Sequence, residues 1–269
     1  MPQLRRVLRP IVDILRRTIH PTPPAPSLGR TFAEQDPTPA AISTSSPNRL
    51  EQFFDQRKRG PGIWKWRHYF EVYDTFLSPF VGKPVRILEI GVYSGGSLDM
   101  WRDYFGPTAH VTGIDIQPVC MAYARDGVEI IIGNQGSPEF WDHIRATKEP
   151  FDVVIDDGSH DPQHQATTLK GILSHINPGG VYLCEDIQGP SSFGEMIGAF
   201  SATLHEVGEM RSDSNNLERR LSFRPSPIQQ RVHSLHVYPM VAVIQKRHTL
   251  VEEFVGPMHG TQWQPTIRF

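Results

Sequence analysis

Between residues 85 and 246, short, largely apolar runs alternate with longer amphipathic ones. VRILEI precedes SLDMWRDYF, HVTGI precedes a short helix near Pro118, and VEIII precedes SPEFWDHIRA; FDVVI then leads into PQHQATTLKGILSHI, and GVYLC into SSFGEMIGAFSATL. Strand and helix alternating at these lengths predict right-handed crossovers and an α/β, doubly wound, mostly parallel sheet. Strands covered on both faces are near-continuous apolar runs, as these are apart from single charged positions. The last two runs break the pattern. VHSLHVY and MVAVIQK are separated only by Pro239, too little for a crossover helix, so they must pair antiparallel and end the sheet in a hairpin.

Three regions precede or contain this pattern. In residues 1–20, Leu4, Val7, Leu8, Ile11, Val12, Ile14, Leu15 and Ile19 fall on one side of a helical wheel, and Arg5, Arg6, Arg9, Asp13, Arg16 and Arg17 on the other. Such a basic amphipathic helix docks its apolar stripe on a protein surface or lies peripherally on an anionic membrane, and Pro10 would kink it. Residues 21–48, with PTPPAP and many Ser and Thr, have the composition of a linker. The folded domain is expected over 49–269.

Composition narrows the partners. The chain has 27 Lys and Arg against 29 Asp and Glu, so no overall field draws it to nucleic acid. Its two cysteines, Cys120 and Cys184, suggest neither a disulfide framework nor a zinc knuckle, and a reducing, cytoplasmic setting is expected, membrane-peripheral at most through residues 1–20. No run has the roughly 18 apolar residues of a membrane span, and the start lacks the apolar core of a signal peptide. A homo-oligomer is expected.

The first apolar strand, ILEI, runs into GVYSGGS. Glycines there let backbone approach a ligand closely, and the spacing E-x-G-x-x-x-G-G lacks the pattern that seats a pyrophosphate on a helix N-terminus. A cofactor without phosphates fits better, and S-adenosylmethionine is the common one. Glu89, Gly91, Ser94, Gly95 and Ser97 are the candidate contacts, with Ser97 also placed to cap the following helix. Asp115, just past the second strand, stands where an acid accepts hydrogen bonds from ribose hydroxyls. Gln135, in GNQGS after the third strand, is placed to meet the adenine edge.

FDVVIDDGSH ends a strand in two carboxylates, a turn glycine and an imidazole, and GGVYLCEDI ends the next in two more carboxylates. Asp156, Asp157, His160, Glu185 and Asp186 should therefore gather at the carboxyl edge, where open α/β sheets hold ligands. Three of these acids suit a hard divalent ion such as Mg2+, which takes oxygen ligands and keeps positions open. Asp156, nearest the strand, is assigned to the cofactor side. His160 beside such an ion is the expected base, since a metal acidifies a hydroxyl and an imidazole can take its proton. His164 is the second candidate.

The segments KWRHYFEVYDTFLSPFVGKPVRILEIGVYSGGSLDMWRDYFGP, IDDGSHDPQHQ, NPGGVYLCEDI and SLHVYPMVAVIQK resemble the metal-dependent sugar O-methyltransferases of macrolide biosynthesis. The mycinamicin and macrocin types are included, as are related rhamnosyl O-methyltransferase and cephalosporin-hydroxylase-like sequences. The resemblance runs from about Gly62 to Lys246 and implies a Rossmann-like class I methyltransferase fold, with Asp157, Glu185 and Asp186 on a magnesium-like ion and His160 as base. Two departures stand out. Gln188-Gly189-Pro190-Ser191-Ser192-Phe193 follows the acid pair where the family usually continues toward a Thr and a Tyr, and Asn134 occupies a position where an acid is common.

The expected activity is S-adenosylmethionine- and metal-dependent methylation of a sugar hydroxyl on a glycosylated natural product, glycolipid or polysaccharide. The acceptor is thus a small molecule or glycoconjugate. An oxygenase would need two histidines and one carboxylate on iron, and here carboxylates dominate. A non-catalytic cofactor-binding scaffold would have no need of His160.

Overall fold

A computed structural model describes residues 46–189, 191–213, 220–257 and 259. The expected helix over 1–20, and nearly all of the expected linker, lie outside them. The chain divides into two compact units, of which the second runs Pro47–Phe269.

The second unit opens with two helices, α1 (Arg49–Gln56) and α2 (Tyr69–Leu77). Asn48 starts α1 by accepting the Glu51 amide on its side-chain oxygen. α2 buries Tyr69, Phe70, Val72, Tyr73, Phe76 and Leu77. The alternating part follows: β1 (Arg86–Ile90), α3 (Gly96–Phe105), β2 (His110–Asp115), a 3-10 turn over Pro118–Tyr123, β3 (Val128–Ile132), α4 (Pro138–Thr147), β4 (Phe151–Asp156), α5 (Pro162–Ile172), β5 (Ile176–Cys184) and α6 (Ser192–Leu204). Beyond these lie β6 (Arg211–Asp213), β7 (Arg220–Phe223), α7 (Pro227–Arg231), β8 (Val232–Tyr238), β9 (Val241–Lys246) and β10 (Phe254–Pro257).

Seven strands form one sheet in the order β3-β2-β1-β4-β5-β9-β8. The pairs among β1 to β5 are parallel, while β9 runs antiparallel to both β5 and β8. Strand alternation divides the core into two clusters. Ile87, Val153, Ile155, Val181, Leu183, Val241 and Val243 belong to one; Leu88, Ile90, Val154, Tyr182, Cys184, Ala242 and Ile244 belong to the other. The chain order reverses between β1 and β4, which opens a crevice at their carboxyl ends.

Pro239 and Met240 make the turn of the expected hairpin, with Met240 at φ 62°. A separate antiparallel sheet, β10-β7-β6, was not expected from the sequence. Cys120 and Cys184 are buried free thiols. Among the described residues, no helix is long and apolar enough to cross a membrane.

Candidate active site

The loops after β1, β4 and β5 are laced together by backbone hydrogen bonds. Asp157 N donates to Ile90 O at 3.0 Å, and Glu185 N donates to Asp156 O at 2.9 Å. Gly91 has φ 92°, and a Cβ there would lie 2.0 Å from the Asp157 carbonyl oxygen, so the two loops approach this closely only with glycine. Their edge opens into a cavity of about 670 Å³.

One end of the cavity is the glycine loop. Asp115 Oδ2 accepts the amides of Val92 and Tyr93 at 3.0 and 2.9 Å, and its Oδ1 accepts that of Gln117 at 2.8 Å. The carboxylate thus shapes the loop while lining the cavity. Gly91, Ser94 and Ser97 line it as well. Gly95 is not part of the lining: at φ 72° it is the N-cap of α3, the role expected of Ser97, and the Tyr123 ring packs where its Cβ would be.

Three expected cofactor contacts have other partners. Glu89 is fully buried and does not line the cavity, because strand alternation turns it to the face of Ile87. There it accepts hydrogen bonds from Ser97 Oγ and Trp101 Nε1, both at 2.9 Å, tying β1 to α3. Burial pushes its carboxyl up to about 7, with the charge of Lys65 opposing. Asp156 is also buried away from the cavity, accepting from Gln135 Nε2 and Tyr182 OH at 3.0 Å each, and burial raises it to about 7. Gln135 lines the cavity, but its amide nitrogen donates to Asp156 and Thr168 and its oxygen accepts the Ser159 amide. Both of its donors are spent on holding the β4 loop, leaving none for an adenine edge.

At the other end Asp157, His160 and Asp186 each place a ligand atom within 4.8 Å of the others. His160 Nε2 lies 3.5 Å from Asp186 Oδ2 and 3.9 Å from Asp157 Oδ1. His160 Nδ1 and Glu185 Oε1 are buried without partners. Carboxylate oxygens with one imidazole suit a hard divalent cation; Glu185 stands outside this group of three, with the buried Tyr73 hydroxyl beside its carboxylate. One imidazole and two carboxylates invert the ligand ratio of the iron oxygenase alternative. His164 lines the cavity, but its Nδ1 pairs with Ser159 Oγ at 3.0 Å.

Two further residues complete the cluster, and neither was expected from the sequence. Lys65 Nζ donates to Asp157 Oδ2 and, at 2.9 Å, to Glu185 Oε2. Burial by itself would lower its pKa, but the charges of Asp157, Glu185 and Glu89 outweigh that and raise it. Burial, followed by the Asp157 charge, pushes Glu185 upward against the pull of Lys65. Tyr69 OH donates to Asp186 Oδ1 at 2.5 Å and accepts the Asp186 amide at 3.2 Å.

Residues 88–187 match a family described as a methyltransferase domain. The fold is that of a class I methyltransferase. The crystallised MycE methyltransferase of the mycinamycin pathway, in complex with Mg, SAH and mycinamycin VI, aligns with a TM-score of 0.59 at 28% identity, over 76% of this chain and 54% of that one. In sequence the chain is 32% identical over 203 residues to mycinamicin VI 2''-O-methyltransferase of Micromonospora griseorubida, covering 66% of this chain and 48% of the relative. It is 30% identical over 198 residues to demethylmacrocin O-methyltransferase of Streptomyces fradiae, covering 68% and 50%. The chain spans about half the length of the curated relatives it matches.

Proposed function

We propose that this chain is an S-adenosylmethionine- and divalent-metal-dependent O-methyltransferase acting on a sugar hydroxyl of a glycosylated natural product, glycolipid or polysaccharide. The observation that carries the reading is one cavity, lined at one end by Gly91, Ser94 and Asp115 and at the other by Asp157, His160 and Asp186. A methyl donor and an acidified acceptor need such adjacency. The names of the relatives, which methylate mycinamicin VI and demethylmacrocin, and the magnesium and SAH in MycE support the same choice.

The chain's own groups divide the work. Gly91 to Ser94 and Ser97 present backbone and hydroxyl groups to the adenosine moiety, and Asp115 offers its remaining lone pairs to ribose hydroxyls. Asp157, Glu185 and Asp186 would hold Mg2+, with Tyr69 orienting Asp186 and Lys65 paired to the other two acids. A bound divalent ion lowers the pKa of a coordinated hydroxyl and orients it. His160 takes the hydroxyl proton at Nε2 as the methyl group leaves the sulfonium. A cytoplasmic setting with a peripheral membrane or protein contact through residues 1–20 belongs to the same proposal, supported by the two buried, unbridged cysteines and the basic amphipathic pattern.

Titration with S-adenosylhomocysteine, with and without Mg2+, tests both binding functions. Mass spectrometry of rhamnosides incubated with enzyme, S-adenosylmethionine and Mg2+ tests the reaction. Binding of NAD in place of S-adenosylhomocysteine, or methyl transfer that survives a chelator, would overturn the reading.

A further inference from the structure

We propose that Lys65 is a resident counter-ion of the acid cluster, setting the site's net charge to the value that one divalent cation neutralises and fixing which oxygens face that cation. This rests on the reading that the cluster holds such an ion.

The lysine side chain is 2% exposed, whereas its neighbours Trp64 and Trp66 are 84% and 52% exposed. The chain therefore turns one side chain inward and two outward. Its ammonium bridges carboxylates on two different strand ends, 92 and 120 residues away in sequence. An ammonium taken out of water is costly unless it is paired and hydrogen-bonded, and both conditions are met here.

The pairing has a direction. Lys65 takes Oδ2 of Asp157, so Oδ1 is the oxygen that faces His160. It takes Oε2 of Glu185, and Oε1 is the buried oxygen left without a partner. One lysine thus occupies one oxygen of each acid and leaves the other free of it. With all three ionised, the carboxylates of Asp157, Glu185 and Asp186 bring three negative charges against the one positive charge of Lys65, which leaves two.

Two effects follow. Without the metal, the ammonium keeps buried Glu185 and half-buried Asp157 from repelling one another and so preserves their arrangement. With the metal, the same charge repels the incoming ion and keeps it exchangeable.

The test is Mn2+ binding, read from the paramagnetic signal of the free ion, for wild type, Lys65→Met and Lys65→Arg at pH 8.5 with S-adenosylhomocysteine present. Wild type should bind one Mn2+ per chain, Lys65→Met should bind about tenfold tighter or more, and Lys65→Arg should stay near wild type. Mn2+ should also raise the melting temperature of Lys65→Met more than that of wild type. Equal or weaker binding by Lys65→Met, or two ions per wild-type chain, overturns the proposal. If Lys65→Met does not fold alone, its recovery on refolding in Mn2+ supports the counter-ion role; failure to recover there, while Lys65→Arg folds, overturns it. A wild type that binds no Mn2+ overturns the metal reading itself.

Discussion

His160 and Asp186 face one another across the site, Nε2 to Oδ2 at 3.5 Å, and each holds a left-handed backbone, at φ 56° and 52°. They sit on the loops after β4 and β5, so both strand ends adopt a conformation that non-glycine residues avoid. Strain of this kind persists where surrounding structure over-determines it, and it concentrates at functional sites. Here it turns the imidazole and the carboxylate toward each other.

That strain predicts a contrast between two substitutions. His160→Ala and His160→Gly both remove the base and should lose roughly 10² to 10⁴ in methyl-transfer rate. Glycine accepts the positive φ freely, so His160→Gly should be the more stable of the pair by about 1 kcal/mol. Urea unfolding of both variants measures the difference. Mn2+ binding should survive in both, since carboxylates supply the main ligands.

Tyr69 holds Asp186 from the opposite side through two hydrogen bonds, one to Oδ1 and one from the amide. Tyr69→Phe keeps the ring that packs in the core and removes only the hydroxyl. Outer partners of metal ligands are typically worth 10- to 100-fold in affinity or activity. Mn2+ affinity should fall by about that range, with S-adenosylhomocysteine affinity unchanged. Unaltered metal binding would leave Tyr69 a packing residue only.

The sheet was legible because its strands are apolar runs, and the gathering of Asp157, His160 and Asp186 followed from knowing which ends share an edge. Direction was harder to read than position. Glu89 and Asp156 lie at the expected strand ends, yet both point into the interior; for Glu89 the alternation with Leu88 and Ile90 already contained the answer. Lys65 and Tyr69 reach the acids from far upstream, where a lysine between two tryptophans and a tyrosine on an apolar helix face carry no local mark of a distant partner. The strands of the β10-β7-β6 sheet are three or four residues long, too short for a period to emerge.

Asp115 gathers three backbone amides and still faces the cavity. Asp115→Ala should weaken S-adenosylhomocysteine binding by about 1 to 3 kcal/mol, the range for losing a charged hydrogen-bond partner. Asp115→Asn keeps one acceptor oxygen and should fall between the two. Calorimetry measures both. Because Asp115 is not among the metal-cluster residues, Mn2+ affinity should not move in either variant, and a parallel loss would mean that the glycine loop and the acid cluster are coupled.

Glu89 gives the fold a pH dependence whose sign is fixed by its burial. Its carboxyl sits near 7 in the folded chain against 4.5 in the unfolded one, so the folded state binds the proton more tightly. The stabilisation is complete below about pH 4.5 and is lost as pH rises through 7, because above that the folded chain must bury a charge that the unfolded chain carries in water. A shift of this size corresponds to on the order of 3 kcal/mol. Glu89→Gln cannot ionise, and its amide can still donate to Ser97 Oγ while its oxygen accepts from Trp101 Nε1. Asp156 titrates over the same interval and remains in the variant, so the decline in stability between pH 5 and 8 should shrink rather than vanish. Denaturant midpoints across that interval measure it, and an unchanged slope would mean that Glu89 stays ionised in the fold, stabilised by Lys65 and its two donors.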